Sequence, residues 1–314
     1  MTLSLPQELH VLQLPLRNTF RGIDTREVLV FRGVAGWSEF SPFTEYSDLE
    51  SLTWLKAALE AAANPWPELY RNKIAINATL PVVAADAVPG ILKRFNGCTT
   101  IKIKVDDFES GAERVAATLE CIPDAKIRLD VNGGWDLATA LSHTEKYFER
   151  FGEVFEYIEQ PSHSLEVLRE LHQRSPIKIA ADESIRKHLG SDLAEIAECA
   201  DIAILKWQPL GGFVQAHTIA KTIGLPVVIS SALETGIGIS HGLALAASFP
   251  ELPYACGLGT TSLFLEDICG DQFTVNEGFL EVQSAEPMDL ERFRAPTERQ
   301  EWWQNRLMRI GELL

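Results

Sequence analysis

Residues 101–105 read IKIKV, two lysines, Lys102 and Lys104, in a run whose other members are Ile and Val. Side chains alternate across a strand, so residues two apart point the same way and these ammonium groups stand side by side. Taken alone, the run fits an amphipathic strand with a wet lysine face. Its surroundings argue for more. Between about residues 73 and 260, short β-branched runs alternate with longer stretches whose apolar residues recur at helical spacing, the pattern of successive βα units and a parallel sheet. The runs are KIAINATL, TTIKIKV, KIRLDVNGG, FEYIEQP, IKIAADES, DIAILKW, PVVISSA and YACGLG, eight in all, the number a closed (β/α) barrel requires.

The ionisable residues follow the same period. Lys104, Asp130, Glu159, Asp182 and Lys206 lie near the ends of consecutive runs, separated by 26, 29, 23 and 24 residues. In a barrel the C-terminal strand ends surround one mouth, where active sites are built. Three carboxylates on neighbouring strands are what a hard divalent cation needs, and one Mg²⁺ ion, with Mn²⁺ as the substitute, is the expected cofactor. Each carboxylate could instead cap a following helix. Lysine is a poor base at its ordinary pKa of ~10.4, but burial, a second ammonium and a nearby cation all disfavour its charged form. Lys104, tuned by Lys102, is therefore the expected base for a carbon-bound proton alpha to a carboxylate. Lys206 faces it from across the barrel.

Composition narrows the rest. The 314 residues are 46% hydrophobic, ample for a large core, and carry a formal net charge of −16, which argues against nucleic acid or an anionic membrane as the partner. The five cysteines show no CxxC spacing and read as reduced core residues. MTLSLPQELHVLQLPL lacks the marks of a secretory leader, and no stretch approaches the roughly 20 apolar residues of a spanning helix, so a cytoplasmic chain is expected. Before the barrel, VLVFRGVAGWSEF reads as two strands around a turn and DLESLTWLKAALEAA as a helix. The tail after residue 270 repeats no βα unit and is expected to return to this N-terminal region. TGIGISHG reads as a tight loop before a helix, and His163, His188, His217 and His241 as solvent or loop residues.

IKIKV, DVNGGW, EYIEQP, AADES and AILKWQPLGG, in this order, resemble the enolase superfamily in its muconate lactonizing subgroup. The resemblance implies an α/β fold: a (β/α)7β TIM-like barrel over residues 73–270, an N-terminal α+β capping domain over 1–72, and a C-terminal segment, 271–314, completing the cap. It implies Asp130, Glu159 and Asp182 as Mg²⁺ ligands, Lys104 as base, Lys206 as the opposing lysine and Lys102 as the residue tuning Lys104. A Lys base with Mg²⁺ is that superfamily's general device. NTFRGI, GWSEFSPFTEY, SSALETGIGISH and CGLGT further resemble a branch of lyases that dehydrate 2-succinyl-6-hydroxy-2,4-cyclohexadiene-1-carboxylate in menaquinone biosynthesis. N-acylamino acid racemisation and dipeptide epimerisation use the same two lysines and are the alternatives. Epimerases of this kind carry Asp-x-Asp at the end of the eighth strand, where this chain reads GLGTTS. Arg21, Ser231, Glu234 and Gly257 are the expected substrate contacts, the partner a small carboxylate, and the oligomeric state is left open, a monomer included.

Overall fold

The computed structural model describes residues 8–189 and 193–314. Strands β1 (His10–Phe20), β2 (Ile23–Gly33) and β3 (Gly36–Phe40) form an antiparallel sheet, followed by helix α1 (Asp48–Ala63). The sequence reading lacks β1, an edge strand that contains Pro15, whose missing N–H an edge tolerates. Arg21 and Gly22 turn the chain between β1 and β2 with φ of +52° and +79°, the left-handed pair of a two-residue hairpin, so Phe20 pairs with Ile23. A capping box between Ser47 and Glu50 starts α1, which buries Trp54, Leu55 and Leu59.

The βα units follow. Their strands are β4 (Lys73–Ala75), β5 (Ala78–Leu80), β6 (Thr100–Lys104), β7 (Lys126–Asp130), β8 (Phe155–Glu159), β9 (Ile179–Ala181), β10 (Ile202–Leu205) and β11 (Val227–Ile229). Between and after them run α2 (Val88–Leu92), α3 (Phe108–Cys121), α4 (Leu137–Phe151), α5 (Leu165–Arg174), α6 (Glu183–Lys187), α7 (Trp207–Leu210), α8 (Phe213–Ile223) and α9 (Gly236–Ala247). From β5 to β11 the strands pair in parallel and in chain order. Cys256 and Gly257 close the ring by bridging Ile76 and Ser230. Gly257 N donates to Ile229 O at 2.8 Å, and Cys256 N to Ala75 O at 2.7 Å. The eighth run thus contributes a two-residue stave. Gly257 has to be a glycine there, because a Cβ would sit 2.5 Å from Ser230 Oγ.

The tail divides. Strand β12 (Phe279–Glu281) pairs with β4, and helix α10 (Thr297–Gly311) packs on the cap, where Arg306 donates to Phe43 O and Ser51 Oγ. Residues 271–314 therefore do not go to the cap as one piece.

Cap and barrel meet along a buried polar seam. Arg26 of β2 donates from Nε to Leu233 O at 3.1 Å and also to Ser41 O. Glu39 of β3 accepts from Thr235 N at 3.1 Å, Gly238 N at 3.2 Å and Ser41 Oγ at 2.6 Å, so a cap carboxylate satisfies the orphan N–H groups at the start of α9. The loop-before-helix expectation for TGIGISHG is corrected accordingly: α9 begins at Gly236, after the Thr235 cap. Its glycines admit close neighbours, since a Cβ on Gly238 would lie 2.4 Å from Glu234 Cβ and one on Gly242 2.7 Å from Leu258. His241 is likewise no surface residue; it accepts from Trp66 Nε1 at 3.0 Å and lies 3.0 Å from Trp37 O, and burial pulls its pKa down to about 4.

Candidate active site

Register builds the site. Across β6, β7 and β8, Lys104 pairs with Asp130 and Asp130 with Glu159, while one layer below Lys102 lies beside Arg128 and Arg128 beside Tyr157. Both faces of β6 are dry: Ile101 and Ile103 are fully buried, and Lys102 is 6% exposed. The wet-face alternative for IKIKV therefore fails.

Every one of the three carboxylates is tied to a lysine. Lys102 Nζ lies 3.0 Å from both Asp130 Oδ2 and Glu159 Oε1, Lys104 Nζ lies 2.7 Å from Asp130 Oδ2, and Lys206 pairs with Asp182. Neither oxygen of buried Asp130 has a well-angled hydrogen bond, so its contacts are ion pairs alone. None of the three caps a helix: Asp182 precedes α6 without a side-chain capping bond, and α4 is capped by Asp136. Gln160 holds the Asp182 backbone in place, accepting from Asp182 N at 2.8 Å.

Burial opposes every charge here, and the neighbours decide the outcome. For Lys102 burial works downward, but Asp130 and Glu159 outweigh it and hold its pKa well above the ordinary value. Lys206 is raised in the same way by Asp182 and Glu183. Burial, then the Asp130 charge, pushes Glu159 up to about 7, whereas Asp130 itself, against its burial, is held low by Lys102 and Lys104. In this arrangement Lys102 is a firmly charged partner of two carboxylates. The tuning of Lys104 expected from the Lys-x-Lys pattern requires those carboxylates to be drawn elsewhere.

A cavity of about 50 Å³ lies above these groups. Lys102, Lys104, Asp130, Asn132, Glu183 and Lys206 line it from the barrel, Phe20, Arg21, Phe43, Tyr46 and Trp54 from the cap, and Ser231, Leu233, Gly257 and Thr260 from the last strand ends. Of the expected substrate contacts, Arg21, Ser231 and Gly257 border it. Glu234 does not: it is fully buried behind the wall and accepts from Ala232 N. Ser231 Oγ lies 2.6 Å from Thr260 Oγ1. Sequence reasoning missed Asn132, which accepts from Lys104 Nζ at 2.6 Å and donates to Glu183 at 3.1 Å. Both stood inside quoted motifs, DVNGGW and AADES, without a role.

Among the described residues no three His, Cys, Asp or Glu side chains gather closely enough to hold a metal ion, because the lysines stand between the carboxylates. The donor chemistry nevertheless suits a hard cation: three buried carboxylates on adjacent strand ends, one with both oxygens free of hydrogen bonds. Among the described residues, too, no helix is long and apolar enough to cross a membrane.

This fold, with three successive carboxylates flanked by lysines at its mouth, is that of the enolase superfamily. Residues 91–287 match the family described as enolase C-terminal domain-like, and residues 11–62 the enolase N-terminal domain-like family. The muconate lactonizing enzyme of Pseudomonas fluorescens superposes with a TM-score of 0.75 at 18% identity, covering 94% of this chain and all of that one. A dipeptide epimerase from Enterococcus faecalis, complexed with Mg and L-Leu-L-Tyr, does so at 0.70 and 21% identity, over 89% of this chain and 97% of its own. An o-succinylbenzoate synthase from Mycolicibacterium smegmatis is 43% identical over 98% of this chain and 96% of its own length. The chain belongs to the o-succinylbenzoate synthase family of the enolase superfamily.

Proposed function

We propose that this chain is a lyase that dehydrates 2-succinyl-6-hydroxy-2,4-cyclohexadiene-1-carboxylate to 2-succinylbenzoate, a step of menaquinone biosynthesis. The observation that carries the reading is the row Lys104, Asp130 and Glu159 at the mouth, opposed by Lys206, in a chain related end to end to a synthase of this name. Asp130, Glu159 and Asp182 would hold one Mg²⁺ ion. When bound, the ion supplies Lewis-acid stabilisation for negative charge developing on the substrate carboxylate.

The chain's own residues do the rest. Lys104 Nζ, held between Asp130 and Asn132 beneath the Phe20 ring, takes the proton from the carbon alpha to the ring carboxylate. The same group, now an ammonium, returns a proton to the departing hydroxyl on the same face. The hydroxyl leaves as water and the ring becomes aromatic, so hydrogen and oxygen balance with no further reactant. Lys206 presents its charge to the opposite face of the ring, where an ammonium is attracted to the π system. Lys102, one layer below Lys104, is the residue placed to tune it, since both ammonium groups meet the same Asp130 oxygen. Arg21, Ser231 and Gly257 form substrate wall, and Glu234 supports that wall from behind.

The epimerase alternative lacks its ammonium-binding carboxylates. Glu266 pairs with Arg292 at the surface, and Asp267 is consumed by Gly236 N and Cys269 N. The setting that goes with the lyase is cytoplasmic, without a nucleic-acid or membrane partner. The test is absorbance-monitored conversion of the cyclohexadiene by purified protein with Mg²⁺, an EDTA control, and an N-succinyl amino acid racemisation assay in parallel. Metal-dependent dehydration is the expected result; racemisation without dehydration overturns it.

A further inference from the structure

The substrate proposed above carries two carboxylates, one on the ring beside the carbon that loses its proton and one at the end of the succinyl arm. The first belongs with the cation and Lys104. The second needs a positive group some distance from them. Five cationic side chains border the cavity, and the three lysines among them are each matched to Asp130, Glu159 or Asp182. Arg21 and Arg186 remain.

These two arginines reach the same place from opposite sides. Arg21 comes from the β1–β2 turn of the cap, with its guanidinium 4.5 Å from the centre of the Phe43 ring and 6.0 Å from that of Tyr46. Arg186 comes from barrel helix α6, four residues after Asp182, and lies 5.2 Å from the centre of the same Tyr46 ring. The Arg186 side chain is 18% exposed, and its one ion pair among the described residues is with Glu50 of α1, at 3.5 Å. Charge-assisted bonds between guanidinium and carboxylate usually close to about 2.7–2.9 Å. The pair is therefore loose, and Glu50, 49% exposed and also engaged by the Ser47 cap, is a carboxylate that solvent can take back readily.

We infer that Arg186 recognises the carboxylate at the end of the succinyl arm, as the second cation of a clamp on Tyr46 whose first is Arg21, and that Glu50 is the carboxylate it exchanges for the substrate's. The planar fork of arginine suits such a group, since it can present two parallel N–H donors to it. The inference rests on the lyase reading, and its test separates the two.

The probes are 2-succinylbenzoate and 2-butanoylbenzoate, which has a methyl group in place of the distal carboxylate. Their binding to the Mg²⁺-loaded protein is measured by calorimetry for the wild type, Arg186→Met, Arg186→Lys and Glu50→Gln, with dehydration kinetics alongside. Arg186→Met should weaken 2-succinylbenzoate about 10- to 100-fold, the loss of a hydrogen bond to a charged group, and 2-butanoylbenzoate less than about threefold. It should raise KM more than it lowers kcat. Arg186→Lys should recover part of the loss, and Glu50→Gln should tighten 2-succinylbenzoate by removing its competitor. Equal weakening of both probes, or of neither, overturns the inference while wild-type dehydration leaves the lyase reading standing. A wild type that neither dehydrates the cyclohexadiene nor binds 2-succinylbenzoate overturns both.

Discussion

Glu159 at the barrel mouth and Glu39 at the cap seam are both fully buried, and both are pushed up to about 7 by burial first and a neighbouring carboxylate second, Asp130 in one case and Glu234 in the other. Their partners differ in kind. Glu39 is held by two backbone N–H groups at the start of α9 and by the Ser41 and Thr235 hydroxyls. The side-chain partner of Glu159 is the single ammonium of Lys102, at the end of a four-carbon stem. Equal shifts therefore do not mean equal roles: a carboxylate clasped by backbone is committed to the fold, and one held only by a lysine can be released to a ligand.

The sharpest test of that contrast is kinetic. Replacing Lys104 with Ala should lower kcat for dehydration at least about 10³-fold, roughly 4 kcal/mol of barrier, while circular dichroism shows the fold retained. A mouth variant that kept most of its activity would move the base elsewhere.

Next in size is a pair of matched substitutions. Arg26→Met removes two seam hydrogen bonds from a charged group, to Leu233 O and Ser41 O, at about 1.5–3 kcal/mol each, and should cost about 3–5 kcal/mol of unfolding free energy in urea titrations, with or without Mg²⁺. Lys102→Met strands Glu159 and leaves Asp130 with Lys104 alone; it should cost a similar amount without metal, but much of it should return in Mg²⁺, which binds only the folded mouth. If Mg²⁺ rescued both or neither, the distinction between seam and mouth would collapse.

The seam also has a pH signature. The folded pKa of Glu39, about 7, lies above its ordinary value near 4.5, so its contribution to stability is complete below that ordinary value and is lost as pH rises through 7. Relative to the wild type, Glu39→Gln should therefore gain up to about 3 kcal/mol between pH 4.5 and 7.5, seen by chemical denaturation at several pH values. A flat difference would mean that the backbone donors keep Glu39 ionised throughout. The smallest effect belongs to Gly238→Ala, whose methyl group meets Glu234 Cβ: a loss of about 1–2 kcal/mol, the usual range for overpacking less the helix-propensity gain, with KM raised through the Ser231–Leu233 wall.

How much of this was legible in the chain differs by region. The eight runs and the ends at which their lysines and carboxylates sit follow from local period alone, because alternation along a strand and one βα unit per step place Lys104, Asp130 and Glu159 in a row. The seam residues were in view, Glu39 within GWSEF and Glu234 within SSALETG, but nothing local tells a glutamate that caps a distant helix from one that meets solvent or substrate. TGIGISHG misled for a related reason: glycines and a threonine signal a loop or a helix start equally well, and only the approach of Glu234 and Leu258 shows that a Cβ there would force a neighbour to move. Arg186 carried no signal at all, since its place depends on the cap bringing Tyr46 and Glu50 over α6.

By itself the sequence determined the barrel, its polarity and the residues at its mouth, since each is written in short-range periodicity that neighbouring strands must obey. Tertiary structure decided which buried charges are fixed and which are free, and which arginines meet at the wall. Those outcomes depend on how the cap docks, with partners such as Arg26 and Leu233, 207 residues apart, held by packing that no local pattern records.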